Sequence, residues 1–108
     1  MQDLIDRFNL SEDQLDTEVS DEYLREVARI IDNHEILGYD LGLTKPEMTA
    51  VDRDAKPHEL KKIETLKRWK EKYAWKATYR KLVEALLECH KADCATQVCE
   101  LLNDSKCF

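Results

Sequence analysis

Four cysteines and a histidine crowd the end of the chain: Cys89, His90, Cys94, Cys99 and Cys107. Thiolate and imidazole are the usual ligands of structural zinc, which needs four of them to converge on one point. Successive cysteines here are five, five and eight residues apart, whereas structural zinc sites use closely spaced pairs. On one helix, Cys94 and Cys99 would also diverge by about 140°, at about 100° per residue. Reduced thiols, buried or partly exposed, are the simpler expectation, and they suit a cytoplasmic chain. Cys107 in the tail is open to intermolecular disulfides. A small zinc-stabilised helical domain stands as an alternative reading; the expectation is no metal and no cofactor.

The second chemically suggestive segment is basic. Residues 53–81 hold 11 basic and 4 acidic side chains, with Trp69, Tyr73, Trp75 and Tyr79 among them. Phosphate attraction combined with aromatic stacking is how single-stranded nucleic acid is held. A basic-helix nucleic-acid-binding module is therefore a second alternative. Against it, Trp69 and Tyr79 occupy positions expected to face a core, and the whole chain has a net charge of -6. Trp75, in a predicted loop, is expected to be an exposed contact or a lid over the bundle end. Enzyme motifs are missing: there is no Gly-rich phosphate loop, no Gly-x-Ser-x-Gly and no metalloprotease signature. His34, His58 and His90 fall at predicted helix ends or loops, where solvated caps are expected rather than catalytic bases. The chain is read as a non-enzyme with no small-molecule substrate and no nucleic-acid partner.

These groups must be positioned by helices. Two Gly and two Pro in 108 residues are too few for the many turns of a sheet-rich fold. Residues 1–19 form an acidic leader with a short helix, in which Leu4, Ile5 and Phe8 share a face and Ser11-Glu12-Asp13-Gln14 has the form of a capping box. Ser20 caps the first long helix, whose stripe is Tyr23, Leu24, Val27, Ile30 and Ile31. A second helix, about Glu35 to Leu41, presents Ile36, Leu37 and Leu41, and Gly42 follows where a left-handed residue is expected. Thr44-Lys45-Pro46-Glu47 opens a third helix bearing Met48 and Val51. A loop is expected from Asp52 to Pro57, with Lys56 pushed from helical geometry by that proline. The fourth helix, His58 to Tyr73, buries Leu60, Ile63, Leu66, Trp69 and Tyr73. The fifth starts near Thr78 and carries Tyr79, Leu82, Val83, Leu86 and Leu87. The sixth runs from a cap at Asp93 through Ala95, Val98, Leu101 and Leu102. Short connections between six helices predict an all-α, six-helix antiparallel bundle, with an extra short N-terminal helix. No apolar run reaches the ~20 residues of a membrane span, and the N-terminus has no signal-peptide pattern.

The motifs along these helices resemble a known family, the death domains of the death-fold superfamily. Leu37 followed by Leu41-Gly42-Leu43 is similar to the family's second-helix ending. Met48 and Val51 follow at the family spacing. Leu66 and Trp69 match its apolar-then-Trp fourth helix. Thr78-Tyr79-Arg80-Lys81-Leu82-Val83-Glu84-Ala85-Leu86 is similar to its Thr-x-x-x-Leu-x-x-x-Leu fifth helix, and Ala92-Asp93-Cys94-Ala95 with Val98 resembles its sixth-helix start. The resemblance covers roughly residues 20–103, so the domain is taken as residues 20–108 after the leader. Many members carry Trp three positions before the residue matched by Leu37; this chain has His34, and Ile36 or Tyr39 is expected to fill that end of the core.

The resemblance implies an adaptor or scaffold in cell-death or innate-immune signalling. Such domains bind other death domains, their own copies or relatives, through charged patches, and stack into homo-oligomers. That implies a cytoplasmic location, as a separate chain or as the intracellular part of a larger protein, with no membrane insertion by this segment. Charge is strongly segregated: residues 1–52 hold 4 basic and 14 acidic side chains, against the basic majority of 53–81. The candidate basic patch is Lys61, Lys62, Lys67, Arg68 and Lys70. The candidate acidic patch is Asp40, Glu47, Asp52 and Asp54. The two are expected to meet between copies.

Overall fold

The first helix is stopped by its own sequence. α1 runs over Gln2–Phe8, and Asn9 then takes a left-handed conformation, φ 51°, which Asn tolerates through its short polar side chain. The Leu10 amide donates back to the Ile5 carbonyl at 3.0 Å, closing the helix end and turning Leu10 inward to burial. α2, Glu12–Leu15, is one turn held by the anticipated capping box: Ser11 Oγ accepts from the Gln14 amide, and the Gln14 side chain accepts from the Ser11 amide. The structure, a computed structural model, describes residues 2–31, 33–55, 57–89 and 92–104, except the side chains of His58, Glu59 and Asp104. The expectations for Lys56, the His58 side chain, His90 and Cys107 lie outside the described residues.

Four of the later helices, α3, α4, α5 and α7, start at a residue whose side chain accepts an orphan amide of the first turn. α3, Asp21–Ile30, is capped by Ser20, with Asp21 and Glu22 in the first turn. α4, His34–Asp40, is capped by Asn33, whose side chain accepts from the Glu35 and Ile36 amides. Gly42 ends it at φ 97°, as expected. α5, Lys45–Asp54, has the Thr44–Glu47 capping box and Pro46 in its first turn. α6, His58–Tyr73, follows Pro57. A 3-10 turn, Ala74–Lys76, leads to α7, Tyr79–Glu88, capped by Thr78, and α8 spans Ala92–Asp104.

The fold is all-helical: among the described residues there is no strand, only one isolated bridge between Glu18 and Thr78. That bridge ties the leader to the α6–α7 connection. Val19 N donates to Ala77 O at 2.9 Å, and Tyr79 N donates to Thr17 O at 3.2 Å. α6 packs on α3, α4 and α5; α7 packs on α8, α4 and α2; α8 also meets α1 and α3. The radius of gyration is 13.2 Å, the ~13 Å expected of one compact chain this long. Leu66, Trp69, Leu82, Val83, Leu86 and Val98 fill the centre. No helix among the described residues is long and apolar enough to cross a membrane.

The structure departs from the sequence reading at several places. The leader forms two helices rather than one, and Leu10, Leu15 and Val19 belong to the common core. α5 continues to Asp54, where a loop from Asp52 was expected; nothing before Ala55 interrupts the helix. α8 includes Ala92, so Asp93 sits in its first turn and is not its cap. Leu60 is 48% exposed, because it lies about 120° around the helix from Leu66, at about 100° per residue. Ile36 and Tyr39, expected inside, are also half-exposed, and His34 is buried in their place at 5% exposure. His34, Leu37, Gly38 and Leu41 share the i, i+3, i+4, i+7 face. Ile36 and Tyr39 sit off that face.

Candidate interaction surface

The basic helix α6 lies between two acidic neighbours, and most of its cations are engaged by them. Facing α5, Lys61 Nζ lies 3.5 Å from Asp52 Oδ1, Arg68 Nη2 donates to Asp54 Oδ2 at 3.0 Å, and Lys72 Nζ donates to Glu47 Oε1 at 2.8 Å. Arg68 Nε also donates to Glu64 Oε1 at 3.0 Å, one turn back on the same helix. Facing α3 and the leader, Lys70 Nζ donates to Asp21 Oδ1 at 2.7 Å and lies 3.6 Å from Glu18 Oε2. Asp52, Asp54 and Glu47 thus meet α6 cations within one chain. Asp40 stands apart, on α4, where the Cys89 thiol donates to its Oδ2 at 2.7 Å.

These contacts hold the acids ionised. Lys72, with the Thr44 amide and hydroxyl, holds the Glu47 carboxyl down to about 2. A hydrogen bond from His34 holds Asp52 low, with Lys61 adding attraction. Asp54 is lowered by Arg53 and then Arg68, and Asp21 by Lys70. Among the described residues, no ion pair reaches Lys62 or Lys67. Lys67 is exposed and Lys62 half-buried. Lys67 lies on the rim of a groove of about 590 Å³ between α3 and α6, with Leu24 and Ile63 also in its lining. A second groove, of about 490 Å³, lies between α4, α6 and α7, where Asp40, Glu84 and Glu88 mix with Lys76 and Lys81.

His34 Nε2 lies 3.1 Å from Asp52 Oδ1. With Glu35 these form the one group among the described residues whose ligand atoms, all within 4.8 Å of one another, could hold a metal ion. A cation there would compete with Lys61 for Asp52. Of the described cysteines, Cys89 faces Asp40, the buried Cys94 thiol donates to the Ile30 carbonyl at 3.1 Å, and burial pushes the Cys99 thiol up to about 11. Trp69 and Tyr79 are buried, which removes them from any stacking surface. Trp75 is 72% exposed in the 3-10 turn. Sequence reading missed the buried His34–Asp52 contact and the Arg80 Nε to Asp16 Oδ1 bond at 2.7 Å. The signal for His34 was its place three residues before Leu37, on the buried face.

Comparison with known protein families, with curated proteins and with solved structures finds no match to this chain.

Proposed function

We propose that this chain is a homotypic protein–protein interaction module of the death-fold kind, an adaptor or scaffold that assembles with its own copies or with relatives. One observation carries the reading: the apolar residues of the family-like motifs are interior residues. Leu37, Leu41, Leu43, Met48, Val51, Leu66, Trp69, Leu82, Leu86, Ala95 and Val98 are all buried. Such motifs serve the core, leaving a surface of charge and a few exposed apolar side chains for recognition. The six helices α3 to α8, in chain order with short connections, support the same reading. The cytoplasmic signalling role belongs to the proposal and rests on the motif resemblance.

Binding by such a module is expected to be a sum of weak contacts, since each exposed ion pair contributes only about 0–1 kcal/mol. Of the candidate cations, Lys67 is the cleanest probe. Arg68 is tied to Asp54 and Glu64, so its reversal perturbs α5–α6 packing as well. The test is self-association, or capture of an immobilised copy, followed by light scattering across concentration and salt for Lys67→Glu and Arg68→Glu. The expected result is impaired assembly with helical content unchanged for Lys67→Glu. Unchanged assembly in both variants removes the basic patch from the interface. A wild-type chain that stays monomeric and captures no copy of itself overturns self-assembly.

A further inference from the structure

Besides Leu60, which lines the α3–α6 groove, the exposed large apolar side chains form two spots, each beside charged groups. One is Trp75, 72% exposed, in the 3-10 turn after α6. The turn is entered through Ala74 at φ 52°, a left-handed conformation that residues with a Cβ seldom adopt, and Lys76 Nζ stands 5.4 Å from the centroid of the Trp75 ring. The other is on α4, where Ile36 and Tyr39 are each 48% exposed. They are three residues apart and hence neighbours on the helix surface. Glu35 and Asp40, both exposed, flank them.

We infer that the Trp75 turn of one copy docks on the Ile36–Tyr39 face of α4 in another copy. The inference rests on the homotypic reading above and adds to it the contact that supplies affinity. Tryptophan and tyrosine dominate binding energy when their surface is removed from water, and rim charges mainly orient partners and speed encounter. Here the anchor is a tryptophan beside a cation, and the receiving face is an apolar pair beside two carboxylates. Lys76 meeting Glu35 sets the orientation; Trp75 against Tyr39 and Ile36 supplies the buried area. The two patches differ, so each copy offers both halves of the contact. A second copy fits better than an anionic surface, because Glu84 and Glu88 share with Lys76 the groove on this side of the molecule.

The experiment is sedimentation velocity over a concentration series on the full chain, with circular dichroism as the control for folding. Trp75→Ser and Tyr39→Ser change exposed positions and are expected to keep wild-type helicity. Each is expected to weaken self-association about thirtyfold or more, the size of an interface hot spot. Lys76→Glu and Glu35→Lys are each expected to weaken it several-fold, and the double variant to recover most of the loss. If the wild type associates and the Trp75 and Tyr39 variants do so with equal affinity, this contact is wrong and the homotypic reading stands. If the wild type is a monomer at every concentration, this contact and self-assembly both fall. Failure of the charge exchange to rescue would remove the pairing of these two patches.

Discussion

Glu47 is held by three donors at once. Its Oε1 accepts from the Thr44 amide at 2.9 Å, the Thr44 hydroxyl at 2.8 Å and the Lys72 ammonium at 2.8 Å. The result is a carboxyl lowered from 4.5 to about 2 in the folded chain. A depressed acid stabilises the fold above its unfolded value and loses that contribution as pH falls toward its folded value. The window is therefore between about 4.5 and about 2. Urea unfolding at a series of pH values should show the wild-type midpoint falling more steeply across this window than that of Glu47→Gln. Parallel curves would mean the three contacts do not persist in solution. Glycines make a second residue-scale case. A Cβ on Gly38 would strike Met48 Sδ and stand 2.8 Å from Met48 Cε, because α4 crosses α5 closely there. Gly38→Ala is expected to cost no more than about 1 kcal/mol net, since overpacking against the flexible end of Met48 is partly offset by the better helix propensity of Ala. The same urea titration reads it, and a larger loss would show that Met48 cannot swing aside.

At the scale of elements, the leader shows best how a local pattern differs from a folded one. A four-residue helix has no stability alone, since nucleating a turn fixes several dihedrals for one hydrogen bond. α2 persists because Leu15 is fully buried and because Val19 and Tyr79 lock the following segment through main-chain bonds. Leu15→Ala is therefore expected to cost about 2–5 kcal/mol, while Leu60→Ala, on the long helix α6, should cost within about 1 kcal/mol, as half-exposed positions do. Equal losses for both in equilibrium unfolding would show that the leader does not share the core. Helices α3 to α8 were legible because their apolar residues recur at three and four, and Ser20, Thr44 and Thr78 mark the starts of α3, α5 and α7. Leu10, Leu15 and Val19 lie on no continuous helix, since α2 ends at Leu15; they are buried by tertiary contacts, which no window of sequence contains. His34 was misread for a related reason. Its residue type suggested solvent, but its position on the Leu37–Leu41 face fixed it inside, with Asp52 beside its outer nitrogen.

For the molecule as a whole, charge by segment was plain in the sequence but charge by partner was not. A basic stretch between acidic ones suggests opposite faces meeting between copies, yet α5 packs alongside α6 and cancels much of that charge internally. The surface left for recognition is thus less basic than the composition of residues 53–81 implies. This separates two responses to salt. The internal pairs Lys70–Asp21, Lys72–Glu47 and Arg80–Asp16 are short but at the surface, where water and salt screen them and each contributes little. The core is apolar, so raising salt to about 1 M, where screening acts beyond about 3 Å, should shift the unfolding free energy by no more than about 2 kcal/mol. Encounter between copies depends on charge at longer range. The association rate should therefore fall several-fold over the same salt range, while dissociation, governed by apolar contacts, changes little. Stopped-flow mixing and urea unfolding at matched salt measure both. A large salt-induced loss of folding stability with unaltered association kinetics would reverse the assignment, making charge the glue of the fold and apolar contact alone the basis of assembly.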